Sequence, residues 1–307
     1  MSVRVGLASA AGAVTLFSLN DVMIKLLSGL YAMHQIIAIR SVIGLMLLLA
    51  IAVPLAGGWA VLKTAHPRLH LIRGGAIVVA NTCFFLALAA MPLAEAVAIF
   101  FISPVLITLF STVFLGERAG PWRWGAVLFG FLGVLVVMRP GTEAFDPAAL
   151  LPLGAAAGYA TLHVLTRRLG RSDGAVTMAV YIQLTFLTVS AIMGALFGSG
   201  WAGAQSDPSL AFLLRAWTWP APGDWAFLAA LGGATALAGI LISQAYRICA
   251  AAVVAPVEYL ALPLSVLFGW LVFDEWPDGV ALAGIAAILA AGLVLVWREA
   301  RGTRLRR

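Results

Sequence analysis

Ionisable side chains are scarce in this sequence, and several of them lie inside long apolar runs. Of the 307 residues, 63% are hydrophobic and 10% are charged, whereas a soluble domain carries about 25% charged residues. Asp21, Arg40, His163 and Glu258 all stand within apolar runs. A charged side chain inside a membrane is costly and marks a path for a solute, an ion or a proton. The chemistry that these residues offer is therefore ion pairing, proton exchange and hydrogen bonding to a polar solute.

Asp21 and Arg40 stand at matching depths in the first two apolar runs. Asp21 lies six residues before the end of the first run, and Arg40 lies seven residues after the start of the second. Both are thus roughly 9 to 10 Å from the same membrane surface. Because a lone charge there would be expensive, we predict an ion pair between them. Lys25 shares a helix face with Asp21, so an interfacial pair of Asp21 with Lys25 is the alternative.

Further polar and aromatic residues are predicted to line a path near the middle of the membrane. An amide such as Asn81 either bonds a neighbouring helix or faces a cavity. His163 either bonds a backbone carbonyl or relays protons, since histidine titrates near neutral pH. Pro104 frees a carbonyl one turn earlier. The predicted substrate site consists of Phe17, Asn81, Ser103, Tyr159, His163, Tyr181, Gln183, Gln244, Glu258 and Tyr259, with Asp21 and Arg40 as an ion pair or coupling residues.

The sequence lacks the motifs of enzymes and metalloproteins. There is no phosphate-binding loop, nucleophile elbow or HExxH motif. His66 and His70 have a spacing that binds zinc on a helix, but Pro67 lies between them. We therefore predict no catalysis, no cofactor and no metal. A channel is disfavoured because a single chain with two inverted halves does not suggest a symmetric filter.

Ten apolar runs account for most of the chain. A helix needs roughly 17 to 25 apolar residues to cross a bilayer. The predicted fold is accordingly all-α, an integral membrane protein with ten transmembrane helices. The runs are 5–27, 33–55, 69–90, 94–114, 121–138, 148–168, 174–198, 224–248, 252–272 and 279–297.

The sequence also repeats itself. Pro104 is followed after thirteen residues by Glu117, and Pro263 after twelve by Glu275, with a Gly-rich run behind each glutamate. The repeat divides the chain into 1–140 and 141–307, the second half ending in a basic tail. Because each half holds five helices, an odd number, the halves are predicted to be inverted relative to each other, as in many secondary transporters.

The two halves also match in their first helices. When these helices are aligned, Asp21 matches His163 and Lys25 matches Arg167. Each half then has a titratable group at the same place, on opposite sides of the membrane. This arrangement suits a path with two gates.

Lysine and arginine residues are distributed unevenly between the predicted loops. If the N-terminus is inside, fifteen of the 19 lie on the inner side and three on the outer side, with Arg40 within a helix. Short cytoplasmic loops retain positive charge, so both termini are predicted to be cytoplasmic. The net charge of +6 then reflects topology and lipid contact rather than nucleic-acid binding.

These features resemble the EamA-type branch of the drug/metabolite transporter superfamily. The resemblance rests on the doubled Pro-to-Glu pattern, the ten runs and the segment FSLNDVMIK, and it covers about 5–140 and 148–297. It departs at Asp274, which stands where the first copy has Gly116. The resemblance implies a secondary transporter, similar in kind to the bacterial aromatic amino-acid and metabolite exporters.

We therefore expect a carrier in a bacterial inner membrane that works by alternating access. Export of amino acids, with the aromatic amino acids as a candidate subclass, is the leading expectation. Uptake or exchange of a nucleoside- or nucleotide-like metabolite is the alternative, ahead of a channel or an intramembrane enzyme. The expected partners are a small-molecule substrate and the lipid bilayer. A homo-oligomer is compatible with the sequence.

The topology can be tested with reporter tags. Tags at residues 1 and 307 should both report the cytoplasm, and a tag in 203–210 should report the opposite side, because the positive charges fix the orientation. Accessibility to an impermeant reagent measures the side. Termini on opposite sides of the membrane would contradict the inverted repeat.

Overall fold

The computed structural model describes residues 3–116, 120–169, 172–203, 205–248, 254 and 257–304, and every regular element in these ranges is helical. Apolar runs form helices in lipid because each backbone N–H and C=O must be paired within its own segment. The helices are α1 (Val3–Ser28), α2 (Met33–Leu47), α3 (Pro67–Ala90), α4 (Leu93–Phe100), α5 (Ser103–Leu115), α6 (Pro121–Met138), α7 (Leu150–Leu169), α8 (Ala175–Phe197), α9 (Pro208–Leu214), α10 (Asp224–Ile248), α11 (Ala261–Phe273) and α12 (Gly279–Arg304).

The helices confirm the predicted class of an all-α membrane protein. Within the described ranges, seven helical segments are long and apolar enough to cross a bilayer. One of them continues α2 through a π-helical turn, Leu48–Ala52, to Val53–Leu55. Three shorter apolar helices, Trp124–Met138, Ala261–Phe273 and Gly279–Val294, stand where the remaining spans are predicted. The count of ten spans stays a prediction.

The predicted span 94–114 is interrupted. α4 ends at Phe100 and α5 begins at Ser103, with a turn at residues 101–102. Pro104 causes the break, since it has no N–H to donate and its ring clashes with the preceding turn. A turn at residues 259–260 precedes α11 and Pro263 in the same way. Both halves therefore break just before their repeated proline.

The two halves also end their repeated helices alike. Gly116 closes α5 with φ +67°, and Asp274 closes α11 with φ +55°. Aspartate is one of the few residues besides glycine that tolerates this left-handed conformation. The exchange of Gly116 for Asp274 between the copies therefore leaves the backbone of the turn unchanged.

A short helix, α9, lies in the segment 199–223, which the sequence predicts to be a loop. Pro208 opens it, and the Asp207 carboxylate accepts the N–H of Leu210 at 2.8 Å, a combination that favours helix initiation. Ser209 donates to the carbonyl of Leu86 at 2.9 Å. These contacts hold α9 against the end of α3.

Helix contacts between the halves are reciprocal. α1 packs on α10 and α3 packs on α7, while α2 packs on α8, α4 on α11 and α6 on α12. In the predicted order of spans, α1 and α10 are the first and the eighth, and α7 and α3 are the sixth and the third. The first span of each half thus packs on the third span of the other half. This is the pattern that a two-fold relation between the halves would produce. The domain boundaries 1–140 and 141–307 stay a prediction.

α6 and α12 approach each other closely at two glycines. A Cβ added to Gly133 would lie 2.9 Å from the carbonyl oxygen of Gly284, and one added to Gly284 would lie 2.8 Å from that of Gly133. Small residues let membrane helices meet backbone to backbone. The other main contacts of this pair are with α4 and α5, so the pair stands beside the rest of the bundle.

A substitution at Gly133 tests this crossing. We expect Gly133→Val to lower the free energy of unfolding by about 1–3 kcal/mol, because the new methyl groups would overlap the α12 backbone. Gly125→Val on the same helix is the matched control, since nothing lies within 4 Å of its added Cβ. Thermal unfolding in detergent measures both variants. Equal destabilisation by the two would contradict the close crossing.

Candidate functional site

The guanidinium group of Arg40 lies between two aromatic rings. Its side chain is 3% exposed, and its central carbon is 5.4 Å from the ring centroids of both Phe85 and Phe186. Such cation–π contacts contribute about 2 kcal/mol or more when desolvated. The Nη1 atom donates to Asn20 Oδ1 at 3.4 Å. The two rings therefore stabilise the cation more than its single long hydrogen bond does.

Asn20 stands between Arg40 and Asp21. Its Nδ2 donates to Asp21 Oδ1 at 3.2 Å, and its Oδ1 accepts from Arg40 and, at 3.1 Å, from Thr235. The ion pairs closer than 4.0 Å among the described residues do not include Asp21 with Arg40. The two charges have the depths that the sequence indicates, but an amide couples them in place of the predicted direct ion pair.

Five rings from three helices form a continuous row, here called the aromatic row. It begins beside Arg40 and passes through α3, α4 and α7. Successive ring centroids are 6.4, 5.1, 5.3 and 4.4 Å apart, in the tilted and edge-on geometries that aromatic pairs favour. The row unites two predicted site residues with three phenylalanines that were not predicted. Its members are Phe85, Phe84, Phe100, Tyr159 and His163.

One predicted polar residue shares a helix face with the aromatic row, and another lies at the break between α4 and α5. Asn81 is half-buried on α3, three residues before Phe84 and therefore on the same helix face. Ser103 is buried where α5 begins, directly after the break. Phe17, by contrast, is 39% exposed on α1 and makes none of the ring contacts of the row. Asn81 thus adds an amide to the helix face that carries Phe84, whereas Phe17 stands apart from the row.

Two predicted residues of α8 serve packing in this structure. The Tyr181 ring stacks on His70 with centroids 4.3 Å apart, and its hydroxyl donates to the carbonyl of Leu62 at 3.3 Å. Gln183 is buried against Gly44, where an added Cβ would lie 2.5 Å from the Gln183 Nε2. The structure therefore places both side chains between α8 and its neighbours, away from the aromatic row.

The break before α11 brings two further predicted residues near the row. Glu258 acts electrostatically on Tyr159. The ring of Tyr259 packs 5.2 Å from that of Phe101 and also covers Gly292 of α12. The side chain of Gln244, another residue of the predicted site, lies outside the described residues, as does Glu117 of the repeat.

Glu275 joins three elements at one end of the bundle, here called the Glu275 face, which includes residues 29–32, 91–92 and 274–278. Its carboxylate accepts from Lys25 Nζ at 2.7 and 2.9 Å and from the N–H of Leu93 at 3.0 Å. Lys25 also donates to the carbonyl of Met91 at 2.7 Å. Glu275, the glutamate of the second repeat copy, therefore connects α1 and the start of α4 to the end of α11. It also replaces the alternative pair of Asp21 with Lys25.

A second ion pair on the Glu275 face joins Arg139 to Asp278. The hydrogen bond from Arg139 and that from the N–H of Ala281 lower the pKa of Asp278 to about 2. Asp278 thus stays ionised at neutral pH. Because the pKa is depressed, the contribution of this pair to stability is present above about pH 4 and disappears as the pH falls through 2.

The opposite end of the bundle, here called the Asp173 face, includes residues 56–66 and 172–174. The Asp173 carboxylate accepts from Thr64 Oγ1 at 2.6 Å and lies 2.7 Å from His70 Nε2. Burial alone would raise the pKa of Asp173, but the hydrogen bonds from Thr64 and His70 outweigh it and lower the pKa. Polar contacts thus close both ends of the bundle around the aromatic row.

Comparison with known proteins identifies the family. The model of the EamA-like transporter family matches residues 4–139. The riboflavin transporter of Rhizobium johnstonii is 32% identical over 247 residues, which are 80% of this chain and 76% of that protein. A solved crystal structure with 24% identity superimposes with a TM-score of 0.64 and covers 96% of this chain and 98% of its own, which supports the fold.

Two further relatives are named for opposite directions of transport, uptake and export. The S-adenosylmethionine uptake transporter of Rickettsia bellii is 26% identical and covers 92% of this chain and 90% of its own length. The pseudopaline exporter of Pseudomonas aeruginosa is 27% identical, with 91% of each protein covered. The shared property of these relatives is the transport of small metabolites.

The Lys25–Glu275 pair can be tested against its exposed neighbour. We expect Glu275→Gln to lower the free energy of unfolding by about 1.5–3 kcal/mol, because a half-buried lysine loses its charged partner. Asp278→Asn is the control: it keeps a helix cap and removes an exposed pair that contributes little. Thermal unfolding measures both, and part of the loss should return in Lys25→Met/Glu275→Gln. A larger effect of Asp278→Asn would contradict this assignment.

Proposed function

Because the chain belongs to the EamA-like transporter family, within the drug/metabolite transporter superfamily, we propose that it carries a metabolite with a ring system. It is a membrane transporter of small metabolites and not an enzyme. The aromatic row carries the proposal, since its rings form a continuous apolar surface and the amide of Asn81 lies on the helix face that carries one of them, Phe84. Ligand sites combine apolar walls with a few polar groups that fix orientation.

The first candidate substrate is a riboflavin-like heteroaromatic metabolite. The support is the 32% identity to a riboflavin transporter together with the ring-rich lining of the site. Stacking on protein rings favours flat heteroaromatic systems, because both partners are polarisable and apolar on their faces. This candidate corresponds to the nucleoside-like alternative of the sequence analysis, and uptake is its direction.

Export of an aromatic amino acid is the second candidate. It follows from the family resemblance. Arg40 also favours it, because its guanidinium lies at one end of the aromatic row and could bind the carboxylate of an amino acid whose ring contacts the row. The pseudopaline exporter supports export as a direction open to this fold. Competition between riboflavin and tryptophan for transport distinguishes the two candidates.

The transport cycle that we infer is alternating access between inverted repeats. The reciprocal helix contacts and the two equivalent helix breaks support halves with boundaries near 140. Carriers of this type hold their substrate at discontinuous helices near the midplane. The Lys25–Glu275 pair would open on one side and the Asp173 cluster on the other. The sequence bias of positive charge favours the Glu275 face as the outer one in a bacterial inner membrane.

Transport in proteoliposomes tests the proposal. Whichever of labelled riboflavin and labelled tryptophan is the substrate should enter with saturation and trans-stimulation, which a channel would not give. Alanine at Asn81, Tyr159 or His163 should raise the KM about threefold to tenfold, since each removes an aromatic or polar contact worth about 0.5–1.5 kcal/mol.

Phe129→Ala is the matched control for this experiment, because its ring is exposed on α6 and distant in the chain from the row. It should leave the KM unchanged. If alanine at all three site positions leaves the flux unchanged while the protein stays folded, the substrate site lies elsewhere.

A further inference from the structure

Arg40 has more hydrogen-bond donors than the protein uses. A guanidinium group offers five N–H donors. Its Nη1 makes one long bond to Asn20, and its Nε is buried without a hydrogen-bond partner among the described residues. A buried unsatisfied donor costs free energy and calls for an explanation such as a ligand or an ion. In a membrane this cost is especially large.

Arg73 provides the contrast within the same chain. It is also buried in α3, but its Nε donates to Thr166 Oγ1 at 2.7 Å and its Nη1 donates to the carbonyl of Met178 at 3.1 Å. Arg73 therefore behaves as a structural arginine with short bonds to two neighbouring helices. Arg40 has no such short bonds to the residues that the structure describes, although it is at least as deeply buried.

A cavity lies next to Phe186, one of the two rings that contact Arg40. It has a volume of about 90 Å³, enough for one edge of a ring but not for a whole substrate. Phe186 belongs both to the cavity wall and to the pair of rings around the guanidinium. Ile37 precedes Arg40 by one helical turn on α2 and also lines the cavity. The remaining lining residues come from α2, α3, α8 and α9: Met33, His34, Val78, Thr82, Val189, Ser190, Met193 and Leu213.

We propose that Arg40 is the specificity-determining residue of the substrate site and binds a planar acceptor group of the substrate. That group is a carboxylate, or a carbonyl oxygen beside an unprotonated ring nitrogen of a heteroaromatic system; both present two adjacent acceptors to the flat fork of guanidinium donors. A displacement of the Phe186 ring connects the cavity to the guanidinium. This inference rests on the proposed function and names the substrate group that the site recognises.

The surroundings of Arg40 favour an acceptor over a cation or a purely apolar ligand. Phe85 and Phe186 exclude water from the guanidinium, which strengthens its interaction with an acceptor. Asp21, the nearby carboxylate, is held by Asn20 and leaves the Nε of Arg40 unpaired. In this proposal, the substrate supplies the hydrogen-bond acceptor for the Arg40 guanidinium.

Pairs of compounds that differ only in the acceptor group test this inference. The probes are riboflavin with its 5-deaza analogue, in which a C–H replaces the ring-nitrogen acceptor beside a carbonyl, and L-tryptophan with its amide, which removes the carboxylate. Competition for transport into proteoliposomes measures their affinities. The wild-type protein should prefer the unmodified member of the transported pair by tenfold or more, a preference that needs no variant to observe.

Variants of Arg40 should remove this preference. Arg40→Gln should transport both members of the pair with similar KM, and Arg40→Lys should retain the charge but only part of the preference, because it lacks the planar fork. Arg73→Gln is the matched control, since it removes a buried arginine that is already hydrogen-bonded; it should lower thermal stability and leave the preference intact.

Three results are informative. Loss of the preference in Arg40→Gln but not in Arg73→Gln supports the assignment. A wild-type protein that does not distinguish the members of a pair, or an Arg40 variant that keeps the full preference, overturns it while leaving the proposed transport standing. Absence of saturable transport of both riboflavin and tryptophan overturns the proposed function, and with it this inference.

Discussion

The cost of placing charge in hydrocarbon governs this structure. A buried charge is stabilised by a partner, and the partners of Lys25 and Arg73 lie on other helices. Lys25 reaches Glu275 and thereby connects residues 250 positions apart in the chain. Arg73 reaches α7 and α8 through Thr166 and Met178. These bonds tie the two halves together at the ends of the bundle, where helix packing alone would be least constrained.

The same cost separates structural charges from functional ones. Lys25 and Arg73 have short bonds to oxygen, and their positions follow from the fold alone. Arg40 has two aromatic rings and a distant amide, an arrangement that stabilises the cation without satisfying its donors. A protein that needed only a stable core could replace it with an apolar residue at little cost. The presence of arginine there is therefore best explained by what binds to it.

Much of the fold follows from simple patterns in the sequence. Apolar runs locate the helices, and the positions of Pro104 and Pro263 indicate where the fourth span of each half changes direction. The break itself does not follow from the sequence, because proline is compatible with a bent continuous helix as well as with two separate ones. The short helix α9 could be anticipated from Asp207 and Pro208, a cap followed by a first-turn proline, but its contact with α3 depends on tertiary packing.

The site was harder to predict than the fold. The depth of a residue in the membrane can be estimated from its position along the helix. The proximity of Asp21 and Arg40 could therefore be predicted. The direction of a side chain around its helix is not readable in a run that is apolar on every face. Tyr181 and Tyr159 have the same chemistry and are both half-buried, but one stacks on His70 near the Asp173 face and the other joins the aromatic row. Phe84, Phe85 and Phe100 were overlooked because phenylalanine is equally common facing lipid.

The position of the polar contacts constrains how such a bundle can move. Both faces are closed by a few hydrogen bonds and ion pairs, whereas the interior between them is a continuous apolar cluster that includes Phe85, Leu88 and Ile99. Packed interiors do not deform continuously and instead shift as units between discrete arrangements. A few polar bonds at each face can exchange with water at modest net cost. Opening is therefore expected at the faces, by the breaking of such bonds as Lys25–Glu275, while the row of rings between them moves as part of a rigid body.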